Sequence, residues 1–77
     1  MSSVRERKTG SIIEFNPELT HGFVTISSIA GKKARFRLQE YNSPGWPEVG
    51  IRVSYYLSQR GGGEDPLYIA ENLLRLP

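Results

Sequence analysis

Apolar and polar positions alternate most regularly over residues 33–38, where Ala34, Phe36 and Leu38 fall on one face and Lys33, Arg35 and Arg37 on the other. A period of two marks a half-buried strand, because successive side chains leave a strand on opposite sides. Residues 51–57 repeat the pattern, sending Ile51, Val53, Tyr55 and Leu57 inward. Two shorter β-rich runs come first, 11–15 and 21–27, ended by the turn residues Asn16-Pro17-Glu18 and Ile29-Ala30-Gly31. The last run, 67–76, offers Leu67, Ile69, Leu73 and Leu76 as core candidates at a less regular spacing. Its Ala, Glu and Leu residues favour a helix over 70–76. One or two isolated helical turns are marginal in water, however, so the pattern predicts a fifth strand.

The segments between the runs read as connections. Residues 39–50 contain Asn42, Ser43, Pro44, Gly45 and Pro47, which predict a long irregular loop, and Gly61-Gly62-Gly63 predicts a flexible turn. That glycine run is no phosphate loop, since neither Lys-Ser/Thr nor a helix follows it. Residues 1–9 are polar and charged without period, so they are expected to form a flexible basic N-terminal arm ahead of a single domain at 10–77. Five short strands with no convincing helix imply an all-β fold, a small five-stranded antiparallel barrel whose closure removes the sheet edges.

Composition narrows the function. A chain of 77 residues holds one domain with a compact core and little room for an enzymatic cleft. It has no Cys, which excludes disulfides, thiolate metal sites and thiol catalysis, and a single His, His21, which excludes a His cluster. Neither a metal nor another cofactor is expected. Apolar stretches are only a few residues long, so no membrane span or signal-peptide core is read, and a cytoplasmic location is expected. Adjacent carboxylates such as Glu64-Asp65 and the absence of nucleophile or metalloprotease motifs argue against an enzyme. Net charge is only +2, yet residues 1–37 carry seven basic and three acidic residues, while 38–77 carry three and five. The positive half is where a polyanion would dock.

Four segments in order carry a family resemblance: Gly10-Ser11-Ile12-Ile13-Glu14-Phe15-Asn16, His21-Gly22-Phe23-Val24, Val49-Gly50-Ile51-Arg52-Val53-Ser54-Tyr55-Tyr56-Leu57 and Ala70-Glu71-Asn72-Leu73. Together they resemble the cold-shock domain, whose corresponding segments are G-x-V-K-W-F-N, the end of K-G-F-G-F-I, G-x-x-V-x-F-x-V and A-x-N-V. The resemblance spans nearly the whole of 10–76 and implies a Greek-key oligonucleotide-binding (OB) barrel that holds single strands on exposed aromatics of its second and third strands. Several positions depart from the family. Glu14 stands in place of the Trp and Ile13 in place of the Lys. His21 and Phe23 occupy the two Phe positions of the first motif, and Leu19-Thr20 replaces Lys-Gly. The second motif, V-F-V-H-F in the family, is here Ala34-Arg35-Phe36-Arg37-Leu38, so its outward Phe and His have become arginines.

The resemblance therefore implies single-stranded RNA or DNA as partner, bound by His21, Phe23, Lys33, Arg35 and Arg37, with Phe15 at the edge and Lys8 and Lys32 (and Arg7) supplying diffuse attraction. Imidazole, phenyl and guanidinium all stack on bases, and arginine also pairs with phosphate. Set against this, a basic row is also the ordinary solvated face of an antiparallel strand, Phe23 and Phe15 are candidates for the core, and His21 for a plain surface residue. Trp46 either anchors its loop on the barrel or lies open for a base, with the anchor favoured; Tyr41 and Tyr56 share the ambiguity. Glu14 on the expected face repels phosphate and supports a competing expectation, a divergent domain that binds a protein partner or spaces other domains. Association with the ribosome or a translation factor is a third.

Overall fold

Strands Arg7–Asn16 (β1), His21–Thr25 (β2), Lys33–Arg37 (β3), Arg52–Arg60 (β4) and Leu67–Arg75 (β5) close into a barrel in the spatial order β1-β2-β3-β5-β4. The computed structural model describes residues 6–64 and 66–77. Four of the five junctions are antiparallel, and the fifth, β3 against β5, is parallel. The fold is the all-β, five-stranded barrel that the alternation predicts, with this one parallel junction, and is consistent with an OB-like fold. A short 3-10 turn, Leu38–Glu40, interrupts the chain after β3, and Tyr41 then bridges Leu73 of β5 in parallel, prolonging the same seam.

β1 is long enough to serve both halves of the barrel. Its first part, from Arg7 to Ser11, pairs with β4, and its second, from Ile12 to Asn16, pairs with β2. Residues 7–9, assigned to the arm by their polarity, thus belong to the strand; the rest of the expected arm up to Arg5 lies outside the described residues. The physical reason lies in Arg7. Its guanidinium lies 4.6 Å from the centre of the Tyr56 ring and donates to the Ser54 hydroxyl at 3.0 Å, the Ser54 carbonyl at 2.8 Å and the Asn72 carbonyl at 2.5 Å. A polar residue with that many local acceptors gains more from β pairing than from solvent.

Where β1 crosses β2, two glycines are required by close approach. A Cβ on Gly10 would stand 2.0 Å from the Thr25 carbonyl oxygen, and one on Gly22 would stand 2.2 Å from that of Glu14. Between these crossings β1 carries a bulge, since Ile12 pairs with Val24 while Glu14 pairs with the next residue back, Phe23. A second bulge lies in β5, where Ser54 to Tyr56 on β4 spans Leu74 to Glu71 on its partner. Asn72 sits in it with φ 52°. Its side-chain oxygen accepts from Asn42 at 2.8 Å, and its N–H donates to the Glu40 carboxylate at 3.0 Å.

The core is filled by Ile12, Val24, Ile26, Ala34, Phe36, Tyr41, Val53, Tyr55, Ala70 and Leu73. The inward residues of β3 and β4 are those predicted, with Ile51 and Leu57 half-buried at the ends. In β5 the bulge puts Ala70 and Leu73, three residues apart, on the inner side, and leaves Leu67 exposed. Leu38, expected inside as part of β3, begins the 3-10 turn and is half-buried.

Candidate functional site

The outer side of the β1-β2-β3 sheet is assembled by register. Phe23 is flanked by Glu14 on β1 and Arg35 on β3, and Arg35 in turn faces Ile69 of β5. The next row joins Asn16, His21 and Arg37, and Thr25 and Lys33 close the other end. Five expected residues, His21, Phe23, Lys33, Arg35 and Arg37, therefore share one surface. Phe23 lies outside the core because its neighbours Gly22 and Val24 take the buried positions. Arg37 and Lys33 are exposed, and Phe23, His21 and Arg35 are half-buried.

Cations here are not spent on internal pairing. Among the described residues, neither Lys33, Arg35 nor Arg37 has an acidic partner. The Lys33 ammonium instead stands 4.2 Å from the centre of the Phe23 ring. Two hollows open on either side of His21. One is lined by Thr20, Arg35, Arg37 and Gln39 and is basic; the other is lined by Glu14, Asn16 and Glu18 and is acidic. The His21 Nδ1 atom is buried without a hydrogen-bond partner among the described residues. Buried ring nitrogens ordinarily have one.

Four expected contributors lie outside these rows. Phe15 points to the inner side, stacked on Phe36 with ring centres 6.0 Å apart and planes 12° apart, so it belongs to the core margin and not to the Phe23 face. The bulge at Ile13 is the cause, since it reverses which side the following residues take. Lys8 pairs in register with Tyr55 on β4, away from β2, and makes a long ion pair of 4.0 Å with Glu6. Lys32 is exposed in the turn before β3. Arg7 is occupied by Ser54, Tyr56 and Asn72 as described above, which removes it from any diffuse role.

Trp46 follows neither extreme. Its ring contacts Phe15 at 6.2 Å between centres, yet 60% of the residue remains exposed. Two participants go unnoticed in the sequence: Ile69, which extends the central row across the parallel seam, and Arg60, which lines a groove with Arg35, Glu40 and Glu71 at that seam. The only signal for either would be the β3–β5 pairing, which joins residues too distant in sequence for any local pattern. Among the described residues no group of three or more His, Asp or Glu is placed to hold a metal ion. No protein-family model matches the chain, and no curated protein matches it significantly in sequence.

Proposed function

We propose that this OB-like barrel binds single-stranded RNA or DNA across the outer side of β2 and β3, in the manner of a divergent cold-shock domain. The observation that carries the reading is Phe23 with Arg35 beside it in register and the Lys33 ammonium against its ring, two cations that have no acidic partner among the described residues. A ring edged by free guanidinium and ammonium groups matches the two parts of a nucleotide: a base that stacks and a phosphate that attracts cations. His21 and Arg37 extend the platform by one base, and the resemblance over 10–76 supports the same surface. With one phenyl ring at its centre, the site relies on charge, so affinity falls steeply with salt and base readout is limited to the contacts beside Phe23.

The test is a backbone amide NMR titration with short single-stranded RNA and DNA at two salt concentrations. Shifts confined to residues 21–25 and 33–38, weakened by salt, support the proposal; an unchanged spectrum at low salt overturns it. A second reading, a protein-interaction module, is favoured by one observation. Ile13, Trp46 and Val49 leave 45%, 60% and 68% of their surface in solvent. Single exposed apolar residues are ordinary, but a Trp so open is not. That reading takes precedence if the oligonucleotides leave the spectrum unchanged.

A further inference from the structure

Glu14 is the residue that fits the proposed site least well, because a carboxylate repels phosphate. Its position gives it a use. It pairs in register with Phe23, which pairs with Arg35, so carboxylate, ring and guanidinium form one line across three strands. Adjacent strands lie about 4.8 Å apart. A base stacked on the ring therefore has an acceptor-only group beside one edge and a donor-only group beside another. Among the described residues the Glu14 carboxylate has no hydrogen bond or ion pair, and the Arg35 guanidinium has none either. The asymmetry continues at His21, which lines both the acidic hollow and the basic one.

The four bases answer this arrangement differently. Guanine offers two adjacent donors, N1–H and the N2 amino group, on one edge and two acceptors, O6 and N7, on another. Adenine and cytosine each carry one amino group beside an acceptor nitrogen, and uracil has one N–H between two carbonyls. Only guanine satisfies a two-oxygen acceptor and a forked donor together. Resting on the reading that this face takes single strands, we propose that Glu14, Phe23 and Arg35 form a guanine-reading subsite. Glu14 accepts N1–H and N2–H, Arg35 donates to O6 and N7, and the phosphates lie toward Arg37 and the basic hollow.

The experiment measures, at low salt, the affinity of the full chain and its Glu14→Gln variant for a short oligouridylate carrying one central guanosine, inosine, 7-deazaguanosine, adenosine or uridine. Glu14 is exposed, so the variant folds, and its amide spectrum verifies this. For the parent protein, guanosine is expected to bind about tenfold better than uridine or adenosine. Inosine, lacking the N2 amino group, and 7-deazaguanosine, lacking N7, fall between. In Glu14→Gln the guanosine advantage shrinks below about threefold, while affinity for the all-uridine strand rises because a repelling charge is gone. Equal binding of all five strands by the parent protein, or an advantage that survives Glu14→Gln, overturns the subsite and leaves the general reading standing. Absence of binding to every strand overturns the general reading, and the subsite with it.

Discussion

If this face takes single strands as proposed, Lys33 and an incoming base compete for one side of Phe23. The ammonium sits 4.2 Å from the ring centre, and a cation over an exposed ring contributes about 0.5–1 kcal/mol. A stacked base contributes about 1–3 kcal/mol, so the base displaces the lysine, whose four-carbon stem lets the charge move toward a phosphate. Phe23→Ala is accordingly expected to weaken single-strand binding by about 1–3 kcal/mol at every salt concentration, read by fluorescence anisotropy. Arg35→Ala combined with Arg37→Ala acts differently. On an oligouridylate, which has no guanine to engage Arg35, loss of two phosphate contacts should lower the slope of log affinity against log salt by about 1.4, leaving the difference small at high salt; an unaltered slope would remove both arginines from the phosphate contacts. Tyr41 supplies a test away from the site. Its hydroxyl is buried without a partner among the described residues, and such a group costs about 1–3 kcal/mol. Tyr41→Phe should therefore raise the urea midpoint, and a lowered midpoint would mean that the hydroxyl is satisfied in solution.

Strands β3 and β4 are legible in the sequence because their alternation is unbroken: Ala34 and Phe36, then Val53 and Tyr55, follow the period and all reach the core. β1 and β5 are less so, and each for the same physical reason, an inserted residue. The bulge at Ile13 turns Phe15 inward and leaves Glu14 outside, whereas uninterrupted alternation from Ile12 would do the opposite. The bulge at Asn72 breaks the period of 67–76 and makes its core candidates irregularly spaced, while the helix option there comes from its Ala, Glu and Leu residues. His21, Phe23, Arg35 and Arg37 were readable as one surface because neither β2 nor β3 contains such an insertion. Two substitutions probe the irregular elements. Gly22→Ala places a methyl against the Glu14 carbonyl and should cost about 3 kcal/mol or more in chemical denaturation, at the upper end of overpacking penalties because backbone cannot step aside. Asn72→Ala puts a side chain that disfavours a left-handed conformation at φ 52° and loses the bond to Asn42, for about 2 kcal/mol. Asn72→Gly keeps the backbone conformation and should lose less; if glycine proves worse than alanine, the backbone argument fails.

The barrel as a whole is tied through its middle by Tyr55. Its ring is fully buried and its hydroxyl donates to the Thr25 carbonyl at 2.7 Å, linking β4 to β2 at the point where Gly10 passes. Burial pushes its pKa up to about 12 from the ordinary tyrosine value of 10.0. The folded chain holds this proton more tightly than the unfolded one, so the contribution is complete below pH about 10 and is lost as pH rises toward about 12. Global stability should fall by on the order of 2 kcal/mol across that window, followed by thermal melts alongside tyrosinate absorbance. Tyr55→Phe should be less stable at neutral pH by about 1 kcal/mol and should lack that part of the alkaline decline.

Closure of the barrel rests on unequal junctions. Four are ladders of four or more paired residues, two of them bulged, while β3 and β5 meet at Arg35 and Ile69 and again, past the 3-10 turn, at Tyr41 and Leu73. A ring of strands yields first at its narrowest weld. Amides along that seam are therefore set to exchange with solvent through openings smaller than global unfolding, while those of β1 paired to β4 wait for the whole molecule to come apart. Arg35 stands on the weld itself. A strand of nucleic acid that grips it would also act as a clasp, slowing exchange at Ile69 and Ala70 without touching either.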